Sequence, residues 1–122
     1  MVIPCAANMK FDTEQEGLLT LFKPYQAILL EHIWELNESE RVGINSGVAH
    51  KYLLGKPEKK SRASVIFFLN DLVDEGILEY EERTGKGGHH RVYYPKFDRD
   101  EFSIYVNEKI KAKLAEVFTP AL

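Results

Sequence analysis

Cysteine is almost missing from this chain: Cys5 is the single one in 122 residues. An intramolecular disulfide is therefore impossible, and a reducing cytoplasmic setting is expected. No apolar run approaches the ~20 residues that a membrane-spanning helix needs. The opening stretch MVIPCAANMK lacks the basic segment followed by an apolar one that marks a secretory signal. Internal repeats and low-complexity segments are also wanting, so the chain reads as one domain, or one domain with a short appendage. An overall excess of basic charge is absent as well, because the net charge is −3.

Catalytic patterns are equally scarce. Cys5 sits in an unpatterned terminus, which gives a Cys/His nucleophile pair no scaffold. Asp74, Glu75, Glu79, Glu81 and Glu82 read as exposed acidic faces, not as carboxylates set in an apolar pocket. The stretch TGKGG (84–88) invites comparison with a phosphate loop. That loop, however, needs a Ser or Thr after its lysine and a helix behind it, whereas Lys86 is followed by Gly87 and a strand pattern. His89 and His90 are adjacent, so on a strand they point to opposite faces and share an ion poorly. A closed zinc site wants four suitably spaced ligands. The chain is thus expected to be no enzyme, with no metal and no cofactor.

What is present is an uneven distribution of charge. Residues 51–70 carry five basic side chains against one acidic, and residues 83–97 carry four against none. Between them, residues 71–82 carry six acidic side chains and no basic one. A polyanion is met by a local positive surface more than by a positive total, so the two blocks keep nucleic acid in view. The competing account is ordinary variation of charge along solvated faces.

Hydrophobic periodicity orders the rest. Leu18, Leu19, Leu21 and Phe22 form a short apolar cluster. Pro24 suits the first turn of a helix whose apolar face holds Ile28, Leu29, Ile33, Trp34 and Leu36, with Asn37 as terminator. A short second helix is capped by Asn45 or Ser46, turns Val48, Ala49, Tyr52 and Leu53 inward, and ends at Gly55. After the basic turn PEKK, Ser61 offers an N-cap to a third helix with Val65, Ile66, Phe68, Leu69, Leu72 and Val73 at helical spacing. Gly76 stands where a left-handed residue closes a helix.

The period then changes to two. In ILEYEER, Leu78 and Tyr80 oppose Ile77, Glu79 and Glu81; in RVYYP, Val92 and Tyr94 oppose Arg91 and Tyr93. A glycine-rich loop joins the two runs into a β-hairpin that Pro95 ends. Asp98 and Glu101 make a capping-box start for a last helix, with an apolar stripe of Phe102, Val106, Ile110, Leu114, Val117 and Phe118 and with Tyr105 beside it. The expected fold is α+β, mainly α: a winged helix-turn-helix of three helices and a two-stranded wing, followed by a long C-terminal helix. An N-terminal segment (1–17) with little pattern, where flexibility is expected, precedes the DNA-binding domain (18–97) and the dimerisation helix (98–122).

Over SRASVIFFLNDLVDEGILEYEERTGKGGHHRVYYP the sequence resembles winged-helix repressors of the penicillinase-repressor (BlaI/MecI) type, and more broadly MarR-like regulators of the archaeal kind. The shared pattern is a serine-started recognition helix, the step LNDLVDEGIL into a wing ending in YYP, and a final helix. The resemblance covers roughly residues 20–118. It implies a dimeric transcriptional repressor whose third helix enters the major groove of double-stranded DNA and whose C-terminal helices pair. One feature departs: repressors of the penicillinase type are inactivated by cleavage at an Asn-Phe bond, and here Asn107 is followed by Glu108. Induction by proteolysis is therefore not expected.

Candidate contacts follow. Arg62 is suited to a bidentate guanine contact, and Ser61 and Ser64 to bases or phosphates. Lys56, Lys59 and Lys60 suit phosphates, because a flexible ammonium positions without specifying. Asn45 and Ser46 lie where the second helix would meet the backbone. In the wing, Lys86 and Arg91 are the leading contacts, with Arg83, His89 and His90 beside them. Phe102, Tyr105, Val106, Ile110, Leu114, Val117 and Phe118 are the dimerisation candidates, with Leu18–Phe22 as an adjunct. A small-molecule effector between the DNA-binding lobe and the last helix remains open. The alternative function is a winged-helix module for protein–protein contact without specific DNA binding.

Overall fold

A computed structural model describes residues 10–85 and 88–118. Its elements follow the punctuation of the sequence. Pro24, whose missing N–H costs nothing at a helix start, opens α1 (Pro24–Leu36), and the Gln26 side chain accepts the Lys23 N–H at 3.0 Å. Asn37 then ends α1 and folds the following loop. Its amide donates to the Ile33 and Val42 carbonyls, and its Oδ1 accepts the Val42 N–H at 2.7 Å. Asn45 caps α2 (Ser46–Leu54) by accepting the Val48 N–H at 2.8 Å. Ser61 caps α3 (Arg62–Asp74) through the Ser64 N–H at 3.1 Å. Gly76, at φ 79°, takes the left-handed conformation that closes the turn after α3.

Strands β1 (Leu78–Gly85) and β2 (Gly88–Pro95) pair antiparallel, with Leu78 opposite Pro95 and Gly85 opposite Gly88. Helix α4 (Arg99–Phe118) starts on a reciprocal capping box, Asp98 N–H to Glu101 at 3.0 Å and Glu101 N–H to Asp98 at 2.8 Å. The described residues thus hold four α-helices, a short 3-10 turn at Gly17–Thr20 and one two-stranded sheet. This is an α+β arrangement, mainly α, and compatible with a winged-helix layout.

The core is a cluster of rings and branched side chains between α1, α3 and the start of α4. Phe22 and Tyr25 meet Phe68 edge-on at 5.8 and 6.0 Å, while Phe102 lies 5.3 Å from Trp34 and stacks on Phe22 at 6.2 Å. Aromatic pairs in such geometries add to the burial of their surface. The Trp34 indole N–H donates to the Phe97 carbonyl at 2.9 Å, pinning the chain between β2 and α4 to α1.

Four expectations need correction. Phe102 and Val106 are buried against the core of their own chain, and Tyr105 and Ile110 pack partly on it. The first half of the α4 stripe therefore closes the fold and does not present a pairing face. Leu21 and Phe22 are likewise core residues. Residues 10–17, taken above as part of a flexible segment, fold back: Lys10 N–H bonds to Leu21 and Asp12 N–H to Thr20. Residues 1–9, Cys5 among them, lie outside the described residues. Val48, expected inside, is 51% exposed.

The hairpin differs from a one-sided wing in its base. Tyr93 on one face and Val92 and Tyr94 on the other are all buried. The second face is covered by the segment before α2. Ile44 pairs with Tyr93 through two backbone bonds of 3.0 and 2.8 Å, and Arg41 lies 3.5 Å over the Tyr94 ring. Gly43 makes this possible, because a Cβ there would collide with Val92 and sit 2.7 Å from Tyr94 Cζ.

Candidate nucleic-acid interface

Helix α3 turns Val65, Phe68, Leu69 and Leu72 into the core, which fixes its roll about its own axis. The opposite side, with Ala63 and Phe67, is exposed, and so is Arg62 on the first turn. Beside this side runs the hairpin, and between them lies an open cleft of about 410 Å³. Its walls bring together Ser46 of α2, Arg62, Ile66 and Asn70 of α3, and His89, His90 and Arg91 of β2. Among the described residues, five of those singled out from the sequence thus border one cleft, although the strand register puts the His90 side chain on the face of Arg83.

Asn70 ties the hairpin to α3. Asn70 Oδ1 accepts from Arg91 at 3.0 Å and from the Tyr93 hydroxyl at 2.5 Å. Arg91 also stacks 4.0 Å over Tyr80. Sequence reasoning missed Asn70, whose signal was a lone amide inside the apolar run IFFLNDLV. A donor-rich partner was needed there, since a half-buried amide without one is costly.

Arg83 goes elsewhere. In the strand register it shares a face with Glu81, opposite to that of Arg91. There it donates to Glu81 at 3.1 Å and to the Tyr94 hydroxyl at 2.8 Å. Arg41 reaches the same strand, 2.9 Å from Glu79 and 3.4 Å from Glu81. The Arg83 guanidinium, helped by Arg41, holds the Glu81 carboxyl below its ordinary range. Two carboxylates of the acidic block are in this way matched by cations from outside it.

The basic turn sits at the N-terminal end of α3. Lys59 and Lys60 are exposed beside Ser61, with the Lys60 ammonium 5.4 Å over the Tyr25 ring; Lys56 lies 4.7 Å over the Tyr52 ring. Arg62 is exposed and leans toward α2, where its Nη2 would be 3.6 Å from a Cβ built at Gly47. The oxygens of Asn45 and Ser61 are taken up as helix caps, and the Ser61 hydroxyl also bonds to that of Ser64 at 3.1 Å. Lys86 lies outside the described residues.

At the far end of the molecule, Val117 and Phe118 are 65% and 76% exposed, Ile104 is exposed, and Leu114 is half-buried. A second cleft, of about 400 Å³, runs between α1 and α4 over Leu18, Leu21, Trp34, Phe102 and Val106, with Glu31 and Arg99 at its edge. Arg99 donates to the Glu31 carboxylate from Nε at 3.0 Å and also through Nη2. None of the described helices is long and apolar enough to cross a membrane. Compared with protein-family models, with curated proteins and with solved structures, the chain has no match.

Proposed function

We propose that this chain is a winged helix-turn-helix protein that binds double-stranded DNA in a sequence-dependent way, with α3 in the major groove and the β1–β2 hairpin on the flanking backbone. The observation that carries the reading is the start of α3. A capped helix end, whose first amides and dipole favour an anion, is ringed by Lys59, Lys60 and Arg62 and faces solvent on the side away from the core. The cleft beside it adds His89 and Arg91, with Glu82 opposite Arg91 on its wall. In this arrangement the lysines fix position on phosphates and Arg62 meets a base edge.

The same proposal extends to a homodimeric repressor. Two copies pair through the distal part of α4, where Leu114, Val117 and Phe118 remain after Phe102 and Val106 have joined the core. Two helices α3 then meet half-sites about one helical turn apart. The cleft between α1 and α4 is the place for a small-molecule effector. Fluorescence polarisation against duplexes selected from a random pool tests the reading: binding that weakens steeply with salt is expected, and none at low salt would refute it.

A second reading has one observation of its own. Arg83 is neutralised by Glu81, and Glu79 and Glu82 stay exposed on the hairpin, so the wing is less basic than its sequence block. A protein-contact module would be content with that surface. It would bind duplexes weakly and without preference.

A further inference from the structure

The outer side of α3 carries a residue that neither the core nor the charge pattern explains. Phe67 is 67% exposed in the middle of a helix whose inner face is fully packed. With about 3.6 residues per turn, Phe67 and Ala63, four residues apart, lie together on the side opposite Val65 and Leu72. Ile66, half-buried, borders them in the cleft. An apolar strip therefore runs along the solvent side of the helix, beginning at the residue after Arg62. Among the described residues, the ring belongs neither to the core cluster nor to the aromatic pairs that build it.

We propose that Phe67, with Ala63, is a specificity-determining contact for thymine: the ring edge and the alanine methyl cover the 5-methyl groups of one or two adjacent thymines. The inference rests on the DNA-binding reading above and adds the base that the helix prefers. In the major groove the thymine methyl is the apolar feature of the floor, whereas the other base edges offer hydrogen-bond donors and acceptors. A phenyl ring cannot answer those polar edges, and covering them without a hydrogen bond is unfavourable. Against a methyl it removes apolar surface from water on both sides. The cations at the start of α3 supply the attraction to a polyanion, and the exposed carboxylate of Asp74 at its far end keeps that end away. The helix thus enters N-terminus first, which brings Ala63 and Phe67, on the side away from the core, over the groove floor.

The test replaces thymine by uracil, which removes the methyl and leaves the hydrogen-bonding edge unchanged. The full chain first selects its preferred duplex from a random pool, and each thymine of that duplex is then exchanged singly. Wild type is expected to lose about fourfold in affinity per covered methyl, the value of one buried methyl group, at one or two neighbouring positions. Phe67→Ala, checked for an unchanged melting temperature, should lose the thymine–uracil difference at the position its ring covers while keeping the wild-type salt dependence. If no uracil exchange changes wild-type affinity although binding remains salt-sensitive, the thymine contact is wrong and the DNA-binding reading survives. If no duplex shows salt-sensitive binding, both fall, and the exposed ring belongs to a protein contact.

Discussion

At Arg62 and Lys59, two cations a few residues apart, the expected consequences of removal differ. Arg62 stands on the first turn of a rigid helix, beside Gly47 of α2, and its planar fork suits a guanine edge. Arg62→Ala should cost about 1–3 kcal/mol on the preferred duplex and flatten discrimination at one base pair. Lys59, on the turn before the helix, positions without specifying. Lys59→Ala should weaken all sequences alike and lower the salt slope by about one phosphate contact. Polarisation titrations of both variants across a salt series check this, and identical behaviour would dissolve the distinction. At this scale the caps were legible: Ser61, Asn37, Gly76 and the Asp98–Glu101 box act from residues within a turn or so of their partners. Asn70 was not, because its donors Arg91 and Tyr93 arrive from 21 and 23 residues further on. Spacing along a chain does not register a bond of that kind.

Among elements, the hairpin shows where periodicity stops informing. The alternation in ILEYEER and RVYYP placed the right residues on opposite faces, yet it could not tell that both faces would be covered at the base. That depends on Arg41–Ile44 folding across the second face, which only the third dimension supplies. Gly43 is the joint, chosen here for lack of a side chain. Gly43→Ala drives a methyl into Val92 and Tyr94, and Tyr94 is already held by its hydroxyl contact with Arg83. Overpacking of this sort typically costs about 1–3 kcal/mol. Urea denaturation should show a lowered midpoint of that order, with the slope unchanged; a variant as stable as wild type would mean that the loop yields freely.

For the whole molecule, the question is how the α4 stripe divides between the core and the exposed surface. A continuous apolar stripe was legible, but its division was not, since periodicity reports that a face is apolar and not what meets it. Phe102→Ala should destabilise the monomer by about 3–5 kcal/mol, as a large core ring does. Val117→Glu should leave stability near wild type and, on the proposed pairing, reduce the mass found in sedimentation to that of one chain. A wild type that is already monomeric would remove the pairing surface from the proposal.

Glu75, just past the end of α3, couples these scales. Its carbonyl accepts the Tyr105 hydroxyl at 3.0 Å, and its nearly buried carboxylate takes the Lys109 ammonium at 2.6 Å. Lys109 in turn donates to the Tyr105 oxygen at 3.0 Å. Burial opposes the ammonium, but the Glu75 carboxylate and the Tyr105 hydroxyl outweigh it and hold the Lys109 pKa above its ordinary value. The Lys109 charge therefore persists across the neutral range. Helices α3 and α4 are thus fastened to each other at the C-terminal end of α3, leaving its cationic N-terminal end unencumbered by the last helix.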